Sequence, residues 1–305
     1  MAGLYVHVPF CRSKCAYCNF YSTEPERVTA WVDAVLVEAR HHAPAFGRFE
    51  TVYLGGGTPS LLTPTQLMTL LDGLRGIVEV APDAEITLEA NPDDVTPALL
   101  SGWRGLGVNR LSLGLQAIDD DALEFLGRRH TAKQGLDSVR LARDAGFDNL
   151  GVDLIWGWSW QTDVDWERAL RRVLEDRPEH ISCYQLTMEP GTPLGSEARS
   201  GRMTLPLEED ERGRYLETSK FLTGAGYEHY EISNFARATE YRSRHNQLYW
   251  HHEPYLGLGP AAHSFDGERR WWNVRSVEQY LERIERGEEP TRGGEELEDD
   301  QRTLE

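Results

Sequence analysis

The chain has 305 residues, enough for one large α/β domain or two modest ones. Hydrophobic residues make up 40% and charged residues 27%, as in a globular protein, and no apolar run of about 18 residues offers a membrane span. A net charge of −18 leaves too little basic surface for sequence-independent nucleic-acid binding. The opening MAGLYVHVPF lacks the basic segment and long apolar stretch of a secretory signal. Three cysteines lie too close together to pair usefully and Cys183 is isolated, so a reducing, cytoplasmic setting is expected.

In chain order, short β-branched runs predict strands at Leu4 to Val8, Thr51 to Leu54, Glu85 to Ala90, Arg110 to Leu115, Asn149 to Ile155 and His180 to Leu186. Helical stripes fall between them. Val28, Trp31, Val32, Val35, Leu36 and Ala39 mark the first, and Thr63, Pro64 and Gln66 form a capping-box start for the second. Further helices are predicted around Thr96 to Arg104, Asp119 to Gly127, Lys133 to Ala145, Asp163 to Glu175 and Leu207 to Thr223. Alternating strand and helix predicts parallel strands, and six units fall short of a closed eight-stranded barrel. The expectation is a partial (β/α)6 TIM-like barrel over residues 1–225, with an α+β extension over 226–288 and a flexible acidic tail over 289–305. The informative residues cluster at the C-terminal ends of strands, where parallel barrels place function.

After the first strand comes CRSKCAYCNF, with Cys11, Cys15 and Cys18 in a Cys-x3-Cys-x2-Cys pattern. A structural zinc site would need a fourth ligand such as His7 or the distant Cys183. A redox pair of Cys15 and Cys18 would leave Cys11 unexplained. A four-iron cluster on three thiolates would leave one iron with an open position for a ligand.

With Tyr17 just before the last cysteine, this pattern resembles the signature of the radical S-adenosylmethionine superfamily. There a [4Fe–4S] cluster chelates S-adenosylmethionine through its open iron and reductively breaks the sulfonium bond to make a 5′-deoxyadenosyl radical. LYVHVPFC, YLGGGTPS, LEANPD, RLSLGLQ with LGRRH, CYQLTMEPGTPL, EISNFAR, SRHNQLYW and GPAAHSF together resemble the oxygen-independent coproporphyrinogen oxidase branch over nearly the whole chain. The resemblance implies that Tyr5, Tyr17, Gly56, Gly57, Thr58, Glu89, Gln116, Arg128 and Asp153 contact S-adenosylmethionine, while the three cysteines hold the cluster.

Taken singly, these positions have plainer readings. Gly55 to Gly57 could be a strand-ending turn, and Glu89, Gln116, Arg128 and Asp153 could be ordinary polar groups. Asp153 carries more weight because a carboxylate within VDLIW needs a partner. Arg128 could pair bidentately with a methionine carboxylate or a porphyrin propionate. His245, in HNQLYW, is a candidate haem ligand or else a histidine hydrogen-bonded in an aromatic core; His251, His252 and His263 are further candidates. Cys183 reads as a buried strand residue. After the Asp153 strand the family's Gly-Leu-Pro-Gly-like turn is replaced by IWGWSWQT, with Trp156, Trp158 and Trp160, which either reshapes the pocket or repacks the loop.

Oxidases of this branch carry a cysteine where this chain has Phe20, and a long segment before the cysteines where this chain has ten residues. Both differences, with HNQLYW, resemble HemW-type haem chaperones. That resemblance implies haem and apo-haemoprotein acceptors as partners, with any membrane association made through such a partner. The rival expectation is decarboxylation of coproporphyrinogen III. HemW-like chains continue into a small C-terminal domain, whereas this sequence stops at Glu305.

Overall fold

The six apolar runs become the parallel strands of one sheet. A computed structural model describes residues 2–297 and contains β1 (Ala2–Val8), β2 (Arg48–Gly56), β3 (Glu79–Ala90), β4 (Arg110–Gln116), β5 (Leu150–Trp156) and β6 (His180–Gln185). They pair in chain order, each parallel to the next. Along the chain between them lie α1 (Val28–His42), α2 (Pro64–Arg75), α3 (Pro97–Gly105), α4 (Asp120–Phe125), α5 (Ala132–Asp144) and α6 (Asp163–Glu175), and after β6 come α7 (Pro193–Arg199) and α8 (Glu208–Gly224). The sheet stays open, which is the expected partial barrel.

The helices start where side chains satisfy backbone N–H groups that have no intrahelical partner. Thr63 accepts from the N–H of Gln66 while the Gln66 side chain accepts from the N–H of Thr63, and Thr131 with Gln134 and Thr162 with Asp165 repeat the device. The unforeseen α7 has a similar start, with Thr192 as cap and Pro193 at the first position.

Strand alternation divides the sheet into two faces. Leu4, Val6, Val52, Leu54, Leu88, Leu111, Leu113, Val152 and Leu154 join the core with Trp31, Val35, Leu67, Leu70 and Trp103 of the helices. The intervening residues Tyr53, Glu89, Ser112, Asp153 and Ser182 line a cavity instead. Glu89 pairs in register with Ser112, and Asp153 with Ser182.

The segment after Gly226 extends this sheet at both edges. Strand β8 (Asn234–Ala236) adds antiparallel to β6, and β7 (Glu228–His229) pairs antiparallel to β8 at the outer edge. The helix α9 (Arg244–Trp250) then leads to β9 (Tyr255–Leu258), which runs parallel to β1, and on to β10 (His263–Phe265) and β11 (Arg269–Asn273). After α10 (Val277–Glu285), β12 (Thr291–Glu296) pairs antiparallel to β11. The expectation of a flexible tail from residue 289 is thereby corrected. Edge pairing uses backbone groups, which the acidic side chains do not block; residues 298–305 lie outside the described residues.

One buried carboxylate fastens the extension to the barrel. Glu38 of α1 accepts from Tyr280 Oη at 2.6 Å, Gly259 N at 2.8 Å and Asn273 Nδ2 at 2.5 Å. Burial pushes its pKa up to about 7 although these three donors oppose the shift. Below that value the folded protein holds a proton that the unfolded chain releases near the ordinary carboxylate pKa. Stability from this group is therefore present at low pH and lost as the pH rises through 7. In urea titrations, wild type should lose about 2–3 kcal/mol more than Glu38→Gln between about pH 5 and about pH 8.5, and equal losses would refute the assignment.

Candidate functional site

The loop from Pro9 to Arg27, between β1 and α1, contains no helix, so its neighbours must hold it in shape. Cys11 N–H donates to Thr23 O at 2.9 Å and Thr23 N–H to Pro9 O at 2.7 Å. At the middle of the loop, Ala16 N–H donates to Leu126 O at 3.1 Å, and Leu194 N–H donates to Ala16 O at 3.0 Å. A small apolar cluster including Leu126, Trp158, Leu186 and Leu194 packs behind Ala16 and Tyr17. Trp158 thus supports the cysteine loop, while Trp156 is buried and Trp160 lies on the surface.

The end of β2 closes onto the same loop. Gly57 N–H donates to Val8 O at 2.8 Å, and a Cβ at Gly57 would lie 2.7 Å from that oxygen and 2.8 Å from Phe10 O. Only glycine permits this approach. Thr58 Oγ1 then sits 3.2 Å from Cys11 Sγ and accepts from Asn91 Nδ2 at 3.2 Å. Arg128 completes the chain, with Nη1 3.4 Å from Cys15 Sγ and Nη2 donating to Asn91 Oδ1 at 2.6 Å and Gly114 O at 2.9 Å.

These groups open onto a cavity of about 660 Å³ lined by Cys11, Cys15, Cys18, Tyr17, Gly56, Gly57, Thr58, Glu89, Gln116, Arg128 and Asp153. Glu89 accepts from Tyr53 Oη at 2.8 Å and Gly56 N at 3.1 Å. Asp153 accepts from Ser182 Oγ at 2.7 Å and Ser112 Oγ at 3.0 Å. Burial pushes Glu89 up to about 7, with the Asp153 charge adding to the rise; Asp153 is raised by burial too. Burial also raises the Cys11 and Cys18 thiols. Two facing carboxylates and an arginine suit a zwitterionic ligand that also carries a positive charge.

Two expected members lie elsewhere. Tyr5 faces a neighbouring cleft, and its hydroxyl is 3.2 Å from His7 Nδ1. His245 is 1% exposed, with Nδ1 2.7 Å from Thr51 Oγ1 and Nε2 2.8 Å from Tyr249 Oη. Burial, with the Arg110 charge, lowers its pKa to about 3. The expectation that His245 ligates haem is corrected to the aromatic-core alternative, because both ring nitrogens already have partners. Sequence reading missed Tyr53, Asn91, Arg110, Ser112 and Ser182. Strand alternation pointed inward at Ser112, two residues before Gly114 and four before Gln116, and Asn91 stands within the quoted LEANPD.

The donor set fits an iron–sulfur cluster and a polar cofactor better than one metal ion. Cys183 is buried in β6, and His7 Nε2 lies 2.9 Å from Tyr21 O, so neither completes a zinc quartet. Among the described residues no three His, Cys, Asp or Glu side chains converge as around a single ion. The Nε atoms of Arg110 and Arg128, both in residues lining the cavity, are buried without a hydrogen-bond partner among the described residues.

A family model, the radical SAM superfamily, matches residues 5–173. The chain is 37% identical over 289 residues to the heme chaperone HemW of Bacillus subtilis, covering 93% of this chain and 76% of that protein. Against heme chaperone HemW of Synechocystis the identity is 36% over 293 residues, covering 92% and 70%. The chain belongs to the HemW family of radical SAM proteins. Membership implies a [4Fe–4S] cluster and S-adenosylmethionine as cofactors. Among solved structures, the coproporphyrinogen III oxidase HemN of Escherichia coli, a radical SAM enzyme, superposes with a TM-score of 0.85 at 26% identity, covering 98% of this chain and 73% of HemN. Among the described residues no helix is long and apolar enough to cross a membrane.

At Gly57 the crowding atoms are backbone atoms, which cannot swing aside as a side chain can. Gly57→Ala should destabilise the cofactor-free protein by about 1–3 kcal/mol in urea and lower its iron uptake on reconstitution. Unchanged stability would show that the cysteine loop tolerates displacement.

Proposed function

We propose that Cys11, Cys15 and Cys18 hold a [4Fe–4S] cluster, that S-adenosylmethionine occupies the adjoining cavity, and that the protein binds haem and delivers it to apo-haemoproteins in the cytoplasm. The observation that carries this reading is the opening of three thiols, two carboxylates and Arg128 onto one cavity, in a chain 36–37% identical to HemW haem chaperones. The cluster, when bound, supplies a single electron and an iron with an open coordination position.

The chain's own residues do the holding. Arg128 is placed for a carboxylate, and its bond to Asn91 fixes the guanidinium plane. Glu89 and Asp153 supply acceptors for hydroxyl or ammonium groups, each oriented by a neighbouring hydroxyl donor. Gly56, Gly57 and Thr58 bring backbone to the cavity edge, and Tyr17 and Gln116 complete its wall.

The rival oxidase reading draws on the HemN superposition, but the identity there is 26% against 36–37% for the haem chaperones. The deciding experiment supplies anaerobically reconstituted protein with coproporphyrinogen III, S-adenosylmethionine and a reductant, with porphyrins separated by chromatography. The chaperone reading expects intact substrate, together with haem transfer to an apo-haemoprotein in a parallel assay. Accumulation of the divinyl product with turnover would overturn it. Each of Cys11→Ala, Cys15→Ala and Cys18→Ala should abolish the cluster's visible absorbance and bound iron, and retention of iron by any one would remove that cysteine from the ligand set.

A further inference from the structure

Beside the cluster cavity lies a second cleft of about 420 Å³, a size usual for small-molecule sites. Its walls are largely flat rings, including Tyr5, Tyr21, Tyr249, Tyr255 and Trp272. His263 of β10 and Trp272 of β11 are register partners with stacked rings, centroids 5.8 Å apart at 28°. Unlike His245, His263 is solvent-exposed, and among the described residues neither of its ring nitrogens has a hydrogen-bond partner. Partial burial and the Arg270 charge lower its pKa, which favours the neutral imidazole that binds iron.

The charges distinguish this cleft from its neighbour. It is lined by Arg275 and Arg292 and, among the described residues, by no carboxylate. Arg275 donates to Asn19 O at 3.0 Å, and Arg292 has no ion-pair partner among the described residues. The next cleft, of about 580 Å³ and containing His252 and Trp250, includes Glu231, and its Arg270 is paired with Glu295. A planar dianion therefore meets a more favourable charge in the first cleft than in the second. Asn19 and Phe20 line both the first cleft and the cluster cavity, so a ligand there lies one side chain from the thiols' chamber.

We infer that this cleft is the haem site, with His263 ligating the iron and Arg292 pairing with a propionate. The inference rests on the haem-binding reading above and adds the location. The test is a haemin titration of the full reconstituted chain, followed by Soret absorbance and tryptophan quenching, with circular dichroism and cluster iron as checks on folding. His263→Ala should weaken binding about tenfold or more and lose the histidine-ligated spectrum, which added imidazole restores. Arg292→Glu should weaken binding to a similar degree without changing the ligation spectrum, and His252→Ala should match wild type. Wild-type affinity and spectrum in both His263→Ala and Arg292→Glu would overturn the location while leaving haem binding intact. A wild-type chain that binds no haem would overturn both.

Discussion

A segment with no helix must present three thiols toward one space before any cofactor arrives. Its shape comes from backbone contacts made by other elements: β1 and β2 approach through Gly57, while Leu126 and Leu194 grip Ala16 from both sides. Each contact needs a neighbour that is itself fixed. Leu126 caps α4, Leu194 lies in the first turn of α7, and Gly57 directly follows β2, so parts distant in sequence converge on one loop. The barrel in effect serves as the frame for this segment.

The same frame explains why so many ionisable groups survive inside. A closed eight-stranded barrel fills its interior with apolar side chains. Here the inward positions carry Tyr53, Glu89, Arg110, Ser112, Asp153 and Ser182, and each carboxylate has hydroxyl or amide donors at hydrogen-bond distance. Those bonds only partly offset burial, which is why the carboxylates remain displaced upward. An interior arranged in this way is more stable with a complementary ligand in place than without one.

The strand order and most helix starts were legible because they depend on local chemistry: alternation, Thr caps and proline at the first helical turn. The three cysteines stood out by their spacing, which left zinc and a redox pair open; the cluster reading came from the family resemblance. His245 was not, since a histidine among aromatics has the same composition whether it ligates or packs. The difference lies in Thr51, almost two hundred positions away, whose hydroxyl occupies one ring nitrogen. Asn91 and Tyr53 were likewise invisible as site residues, because what matters is the group each reaches across the sheet. The acidic segment misled for another reason: β12 is held through main-chain pairing to β11, to which a reading of side-chain charge is blind.

That outermost strand bears on how copies of the chain meet in solution. An open sheet leaves unpaired N–H and C=O groups at its margins, where another chain can add and propagate aggregation. At one margin β7 is only two residues long, too short to template a partner. At the other, β12 reads Thr-Arg-Gly-Gly-Glu-Glu, with charges and glycines where a sticky edge would be β-branched. With Gly293 and Gly294 at its centre, lacking side chains to pack against a neighbour, this strand is a poor template for a second copy of the chain.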